Sequence, residues 1–131
     1  MIVYVDTSAA MKLLVEETES AALADTLEAA RRAGDNLVSS LLLHTELHCA
    51  ASRRRAAIGR EAVAALLSTI ALVDMEHSDL LTAPLLPGRL RSAGAIHLAT
   101  ALRVGADVIA AYDAELAAAA DGAGFEVLSP A

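Results

Sequence analysis

A chain of 131 residues with a net charge of −7 fits one domain, residues 1–131, large enough for a core that needs no staples. Apolar residues make up 56% and aromatic ones 2%, so that core is built from Ala, Leu, Val and Ile, and the acidic balance excludes a generally basic nucleic-acid coat. Cys49 stands alone, which excludes an intrachain disulfide and suits a reducing, cytoplasmic setting. Met1–Asp6 lacks the basic start and long apolar run of a signal peptide. No apolar stretch reaches the roughly 20 residues of a membrane helix, so no membrane role is expected.

Ile2–Val5 is a continuous β-branched and aromatic run, the pattern of a strand buried on both faces. Asp6 ends it, and Thr7 or Ser8 can cap a helix beginning Ala9-Ala10-Met11. A second helix runs from Thr18 to about Arg32 and stops at Gly34. Leu37-Val38-Ser39 reads as a short strand, with Ser40 capping a long helix from Leu41 to Arg55. Gly59 breaks that helix, and Glu61 to about Ile70 is helical again. Leu72–Met75 is a third strand, and Pro84, Pro87 and Gly88 mark a connection with one helical turn before it. Ser92 to Val104 predicts a strong helix ending at Gly105, and Val108–Ala110 a fourth strand. Ala114 to Ala120 is a helix closed by Gly122 and Gly124, and Phe125–Leu128 a last strand ended by Pro130. Strands alternating with helices predict an α/β domain with a mostly parallel central sheet of four to five short strands, without repeat or linker.

Three acids stand where chemistry is possible. Asp6 follows the first strand and Asp113 the fourth, and ligands of open parallel sheets bind at the carboxyl ends of strands. Both also suit a helix N-cap, the bland alternative for each. Glu46 lies in the apolar run Leu41–Ala50, with Leu42, Leu43, Cys49 and Ala50 as helical neighbours. A carboxylate on such a face needs a partner or a cation; a salt bridge to Arg53 two turns on, or exposure at the stripe's edge, is the alternative. Clustered carboxylates repel by about 4 kcal/mol for a pair about 4 Å apart at an effective dielectric of roughly 20. A site built from them therefore implies a cation, and hard oxygen donors suit Mg²⁺ or Mn²⁺. Such an ion activates water and stabilises the leaving oxygen of a phosphodiester.

Four segments carry a family likeness: Val3-Tyr4-Val5-Asp6-Thr7-Ser8-Ala9, Glu46 in an early helix, Ala95-Ile96-His97-Leu98-Ala99-Thr100-Ala101, and Tyr112-Asp113-Ala114-Glu115-Leu116. In this order and spacing, over nearly the whole chain, they resemble the PIN-domain ribonucleases, and most closely the toxins of bacterial VapBC toxin–antitoxin pairs. The resemblance implies a PIN-like three-layer α/β/α fold and RNA cleavage with Mg²⁺ or Mn²⁺ held by Asp6, Glu46 and Asp113. It further implies Thr7 or Ser8 close to the metal, a homodimer, a small antitoxin whose helix lies in a groove, and a tRNA or rRNA substrate. Two positions depart from the family pattern. The acid usually found directly before Ala-Ile-His is Gly94, and the Ser or Thr common two residues before the last acid is Ala111. Glycine near a helix start brings no local gain, since it costs up to about 1 kcal/mol against Ala in a helix interior. Gly94 therefore reads as a vacated acidic position, of engineered or natural origin.

His44 and His48 lie four apart on one helix, as zinc-binding pairs do, but no His-Glu-x-x-His pattern exists and a partly exposed helix surface is the simpler reading. His77 has no evident partner, and His97, one turn after Gly94, is read as a packing residue. Arg53, Arg54, Arg55 and Arg60 form the densest basic patch, and Arg89 and Arg91 precede the Gly94 helix. Arg53, Arg54, Arg55 and Arg91 are the candidates for RNA phosphates, against a solvated helix end whose cations offset the dipole. Only Tyr4, Tyr112 and Phe125 are available for base stacking.

Two functions follow. One is a metal-dependent endoribonuclease toxin, impaired through Gly94; the other is a catalytically inactive PIN-like binding module that only engages an antitoxin or RNA. The apolar pairs Leu13-Leu14 and Leu85-Leu86 favour a buried partner surface in either case. Phosphoryl transfer on Asp6 is disfavoured. Ser8 stands where a haloacid-dehalogenase-type enzyme needs a second Asp, no Lys follows Lys12, and no phosphate-loop Gly-Lys pair exists.

Overall fold

The structure is a computed structural model that describes residues 1–54 and 58–131. Its elements run β1 (Ile2–Val5), α1 (Thr7–Leu14), α2 (Ser20–Arg32), β2 (Asn36–Ser40), α3 (Leu42–Arg53), α4 (Arg60–Leu67), β3 (Ala71–Val73), α5 (His77–Thr82), a 3-10 turn (Ala83–Leu85), α6 (Ser92–Arg103), β4 (Val108–Ala110), α7 (Ala114–Gly122) and β5 (Glu126–Leu128).

The side chains of β1 alternate between two cores, as the two-residue period of a strand requires. Val3 and Val5 join one apolar cluster, and Tyr4 joins another. β4 divides likewise, with Val108 and Ala110 in the first cluster and Ile109 in the second. The first cluster is completed by α1 to α4, through residues such as Ala9, Leu23, Leu47 and Val63. The second is completed by α6 and α7, through Leu98, Ala101, Leu116 and Ala120. Sheet between two helical layers is the α/β/α arrangement. The sheet has five strands in the order β3-β2-β1-β4-β5, and every neighbouring pair is parallel.

The expected single helical turn before the prolines is larger: α5 and the 3-10 turn together pack on α6 through Ala83, Ala95 and Ala99. The cap of α1 also differs from expectation. Asp6, not Thr7 or Ser8, is the capping residue, its Oδ2 accepting the Ser8 N–H at 3.1 Å. The helix starts two residues earlier than its alanines suggest, and this frees the Thr7 and Ser8 hydroxyls for other contacts. Ser40 serves the start of α3 as expected, its Oγ accepting the Leu42 N–H at 3.1 Å. β3 stops at Val73 rather than Met75, and α2 starts at Ser20 rather than Thr18.

The strand order places the site. β1 has β2 on one side and β4 on the other. The chain leaves β1 into the helical layer of the first cluster, and leaves β4 into the opposite layer. Two adjacent parallel strands whose following helices diverge open a crevice beyond their carboxyl ends, the usual ligand position in such sheets.

Candidate active site

Asp6 and Asp113 are the residues that leave β1 and β4 at this switch point, and each caps the helix that follows. The bland reading as N-caps is therefore correct for both, and it does not exhaust them. Asp6 is 4% exposed, and its Oδ2 accepts both the Ser8 N–H (3.1 Å) and the Ser8 hydroxyl (2.7 Å). Ser8 Oγ in turn accepts the backbone N–H of Tyr112 (2.9 Å) and of Asp113 (3.3 Å). One hydroxyl thus ties Asp6 to the turn that carries Asp113. Asp113 is exposed, and its Oδ1 accepts the Leu116 N–H at 2.9 Å.

Glu46 sits one turn into α3 and is half-buried. Its Oε1 accepts the Thr7 hydroxyl at 2.7 Å and lies 2.6 Å from His97 Nε2. Burial pushes the Glu46 carboxyl up, but His97 and the Thr7 hydroxyl outweigh it and hold the group below its ordinary value. Among the described residues no ion pair joins Glu46 to Arg53, the partner that the helical spacing allowed. His97 is 1% exposed on α6, with Nδ1 2.7 Å from the Tyr4 hydroxyl. It is buried, as a packing residue should be, but it is also the link between β1, α3 and α6. The sequence held one clue to this: a buried His and a Tyr in an otherwise apolar strand each need a polar partner.

Each of the three acids uses one carboxylate oxygen for protein donors. Among the described residues Asp6 Oδ1, Glu46 Oε2 and Asp113 Oδ2 receive none. No buried side-chain polar atom lacks a partner among these residues, so the free oxygens of Asp6 and Glu46 reach the surface. Hard, solvent-facing carboxylate oxygens at a strand switch point suit a hard divalent cation. The fit lies in this donor chemistry. Among the described residues no three His, Cys, Asp or Glu side chains already stand as an ion-binding group.

Gly94 is the third residue of α6, whose first turn holds no acid. Its φ is not positive, and a Cβ built there meets no atom within 4 Å. Neither backbone nor space requires a glycine at this position. Arg91, exposed, is the capping residue one turn before it, its carbonyl accepting the Ala95 N–H at 2.9 Å. Arg53 ends α3, about 10 Å along the helix axis from Glu46, and Arg54 follows it; both are exposed. Arg55 lies outside the described residues. His44 and His48 contact edge to face at 4.7 Å between ring centroids. Lys12, the one lysine, is held by Glu17 (3.2 Å) and Glu19 (3.0 Å).

The PIN domain family model matches residues 3–122. The chain belongs to the PIN-domain family. Within it the VapC ribonucleases are close in sequence. Ribonuclease VapC46 of Mycobacterium tuberculosis is 38% identical over 131 residues, covering 98% of this chain and 97% of that protein. Ribonuclease VapC35 of the same species is 36% identical over 137 residues, with the same coverage. Two solved structures share the fold. VapBC2 from Rickettsia felis, bound to a DNA fragment from its promoter, superposes with a TM-score of 0.75 at 12% identity over the whole of both chains. The Mycobacterium tuberculosis VapC20, a sarcin-ricin-loop-cleaving toxin, gives 0.71 at 16% identity over 98% of this chain and 99% of that one. The chain is thus a PIN domain of the VapC ribonuclease-toxin type. No described helix of this PIN domain is long and apolar enough to cross a membrane.

Proposed function

We propose that this PIN domain, a single unit over residues 1–131, is the toxin of a type II toxin–antitoxin pair and an endoribonuclease that uses Mg²⁺ or Mn²⁺. Asp6, Glu46 and Asp113 would hold the ion, which supplies charge neutralisation at the phosphate and a more acidic water. The observation that carries the reading is the spare oxygen on each of these acids, at the carboxyl ends of β1 and β4 and beside α3. The chain's own groups orient those oxygens. Ser8 fixes Asp6 against the Asp113 turn, and Thr7 fixes Glu46. Arg91, one turn before Gly94, is the phosphate contact best supported by position, while Arg53 and Arg54 would act further along the RNA.

Gly94 leaves the fourth corner of this site without a carboxylate, which weakens metal binding and turnover. Gly94→Asp should raise Mn²⁺-dependent RNA cleavage by at least roughly tenfold, since even indirect metal partners are worth that much. Equal rates for the two proteins at matched metal contradict the proposal.

The same glycine favours the second reading, a non-cleaving module that holds an antitoxin. Leu85, Leu81 and Leu80 are 83%, 62% and 48% exposed beside the 3-10 turn, apolar surface of the kind a homodimer or antitoxin covers. Leu13, Leu14 and Leu86 are packed against the cores, which leaves Leu85 as the exposed member of the two pairs; Met1, Leu41 and Leu102 are exposed elsewhere. A chain that stays monomeric in light scattering, and gains no mass with a small antitoxin, contradicts both partner assignments. A ribosomal or transfer RNA substrate and a cytoplasmic setting complete the proposal.

A further inference from the structure

We infer that His97 is a positioning residue: a buried proton donor, oriented by Tyr4, that fixes Glu46 by one carboxylate oxygen and leaves the other for a cation. The inference rests on the proposed function and deepens it.

Tyr4 Oη accepts the Ser40 N–H at 3.1 Å and lies 2.7 Å from His97 Nδ1. At neutral pH a phenol keeps its proton. Both Nδ1 and the Ser39 hydroxyl oxygen, whose own proton goes to the Val5 carbonyl at 2.7 Å, lie within reach of that proton. The other side of the ring decides the tautomer: an ionised Glu46 oxygen can only accept, so Nε2 carries the ring proton and Nδ1 of the neutral ring takes the Tyr4 hydroxyl's. Nε2–H then donates to Glu46 Oε1 at 2.6 Å. Thr7 donates its hydroxyl to the same oxygen at 2.7 Å, so the 3.0 Å approach of Thr7 Oγ1 to Nε2 closes a triangle of two donors on one acceptor. Both donors load Oε1 and neither loads Oε2. The ring has no freedom to do otherwise. It is 1% exposed, and it meets the Tyr4 ring edge-on at 5.7 Å and 70°.

This is the arrangement by which partners behind a metal ligand fix its orientation. It also explains a buried His on a helix whose other buried residues, Thr100 apart, are apolar. A packing role needs only the ring's volume. A positioning role needs its Nε2–H.

The tests separate the two. Long-range ¹H–¹⁵N spectra of the metal-free chain at neutral pH should show a pyrrole-like Nε2 and a pyridine-like Nδ1 for His97. The reverse tautomer overturns the inference. Mn²⁺ titration by calorimetry should show His97→Leu, which keeps volume and loses the donor, binding roughly tenfold or more weakly. His97→Gln, which can donate from nearly the same point, should stay within about threefold of the native affinity. Native affinity in a folded His97→Leu protein overturns the inference. Should His97→Leu fail to fold, Tyr4→Phe replaces it: this variant loses the hydrogen bond at Nδ1, must shift the His97 ¹⁵N signals, and overturns the inference if it does not. A native chain that shows the expected tautomer but binds no Mn²⁺ overturns the proposed function instead, so the two failures are distinguishable.

Discussion

Two carboxylates meet the helix α6, and they are treated in opposite ways. Asp79, on α5, is 1% exposed and has both oxygens filled. Arg103 Nε donates to its Oδ1 at 2.7 Å; Arg103 Nη2 (3.0 Å), the Thr100 hydroxyl (3.2 Å) and the Glu76 N–H (3.1 Å) donate to its Oδ2. Arg103 also reaches the Asp74 carbonyl at 3.0 Å. Glu46, which meets the same helix at His97, three residues before Thr100, has one oxygen filled and, among the described residues, one free. A saturated acid is a staple between elements: it binds α5 to α6 and has nothing left to offer a ligand. An unsaturated acid beside a strand switch point retains binding capacity. Saturation, more than burial or pKa direction, separates the two roles, since partners hold both carboxyls below their ordinary values.

The largest effect should come from breaking the staple. Asp79→Ala leaves a partly buried guanidinium with only Glu76 (3.3 Å) and the Asp74 carbonyl, and should cost about 2–3 kcal/mol, the full buried-pair penalty being reduced by those partners and by solvent at Arg103. Thermal denaturation would then move down by roughly 10 °C. Glu46→Gln keeps shape and should cost under about 1 kcal/mol. If the two variants lose equal stability, the contrast between staple and site collapses.

Acid should act on both residues with the same sign. A carboxyl held below its ordinary value stabilises the fold fully above that value, about pH 4, and loses the contribution as pH falls through the folded one. Native stability should therefore be flat from neutral pH to about 5 and decline below it. The Asp79→Ala variant should decline less steeply than the native chain in denaturant titrations at each pH.

The contrast also marks what sequence can carry. The alternation of Ile2–Val5 and Val108–Ala110 with helical segments was enough to read a parallel α/β sheet, because strands buried on both faces announce themselves as apolar runs. Asp6, Asp113 and Glu46 were legible as acids in unusual places. Their partners were not. Thr7 and His97 meet Glu46 from positions 39 and 51 residues away, and only the packing of α1, α3 and α6 brings them together. The Asp79–Arg103 staple was missed for the same reason: α5 read as a single turn in a proline-bounded connection, with no periodicity to show a buried face.

Smaller effects sharpen the site side. Ser8→Ala removes the acceptor of the Tyr112 and Asp113 N–H groups and a donor to Asp6, and should cost about 1 kcal/mol, or a few degrees in thermal denaturation. Its Mn²⁺ affinity should fall more than its stability does, because the spacing of two acids is lost. The smallest effect belongs to Arg91→Ala, which should leave stability within about 0.5 kcal/mol and lower the salt dependence of RNA binding by about one phosphate contact. An unchanged salt slope would remove Arg91 from the interface.

On the proposed function, the free oxygens of Asp6, Glu46 and Asp113 would make one cation site with position 94 at its open corner. A crystal of the chain soaked in Mn²⁺ tests it directly through anomalous scattering. One peak is expected beyond the carboxyl ends of β1 and β4, bounded by Asp6 Oδ1, Glu46 Oε2 and Asp113, with water on the side of Gly94. A peak at His44 and His48, or none near Asp6 at saturating Mn²⁺, would contradict it.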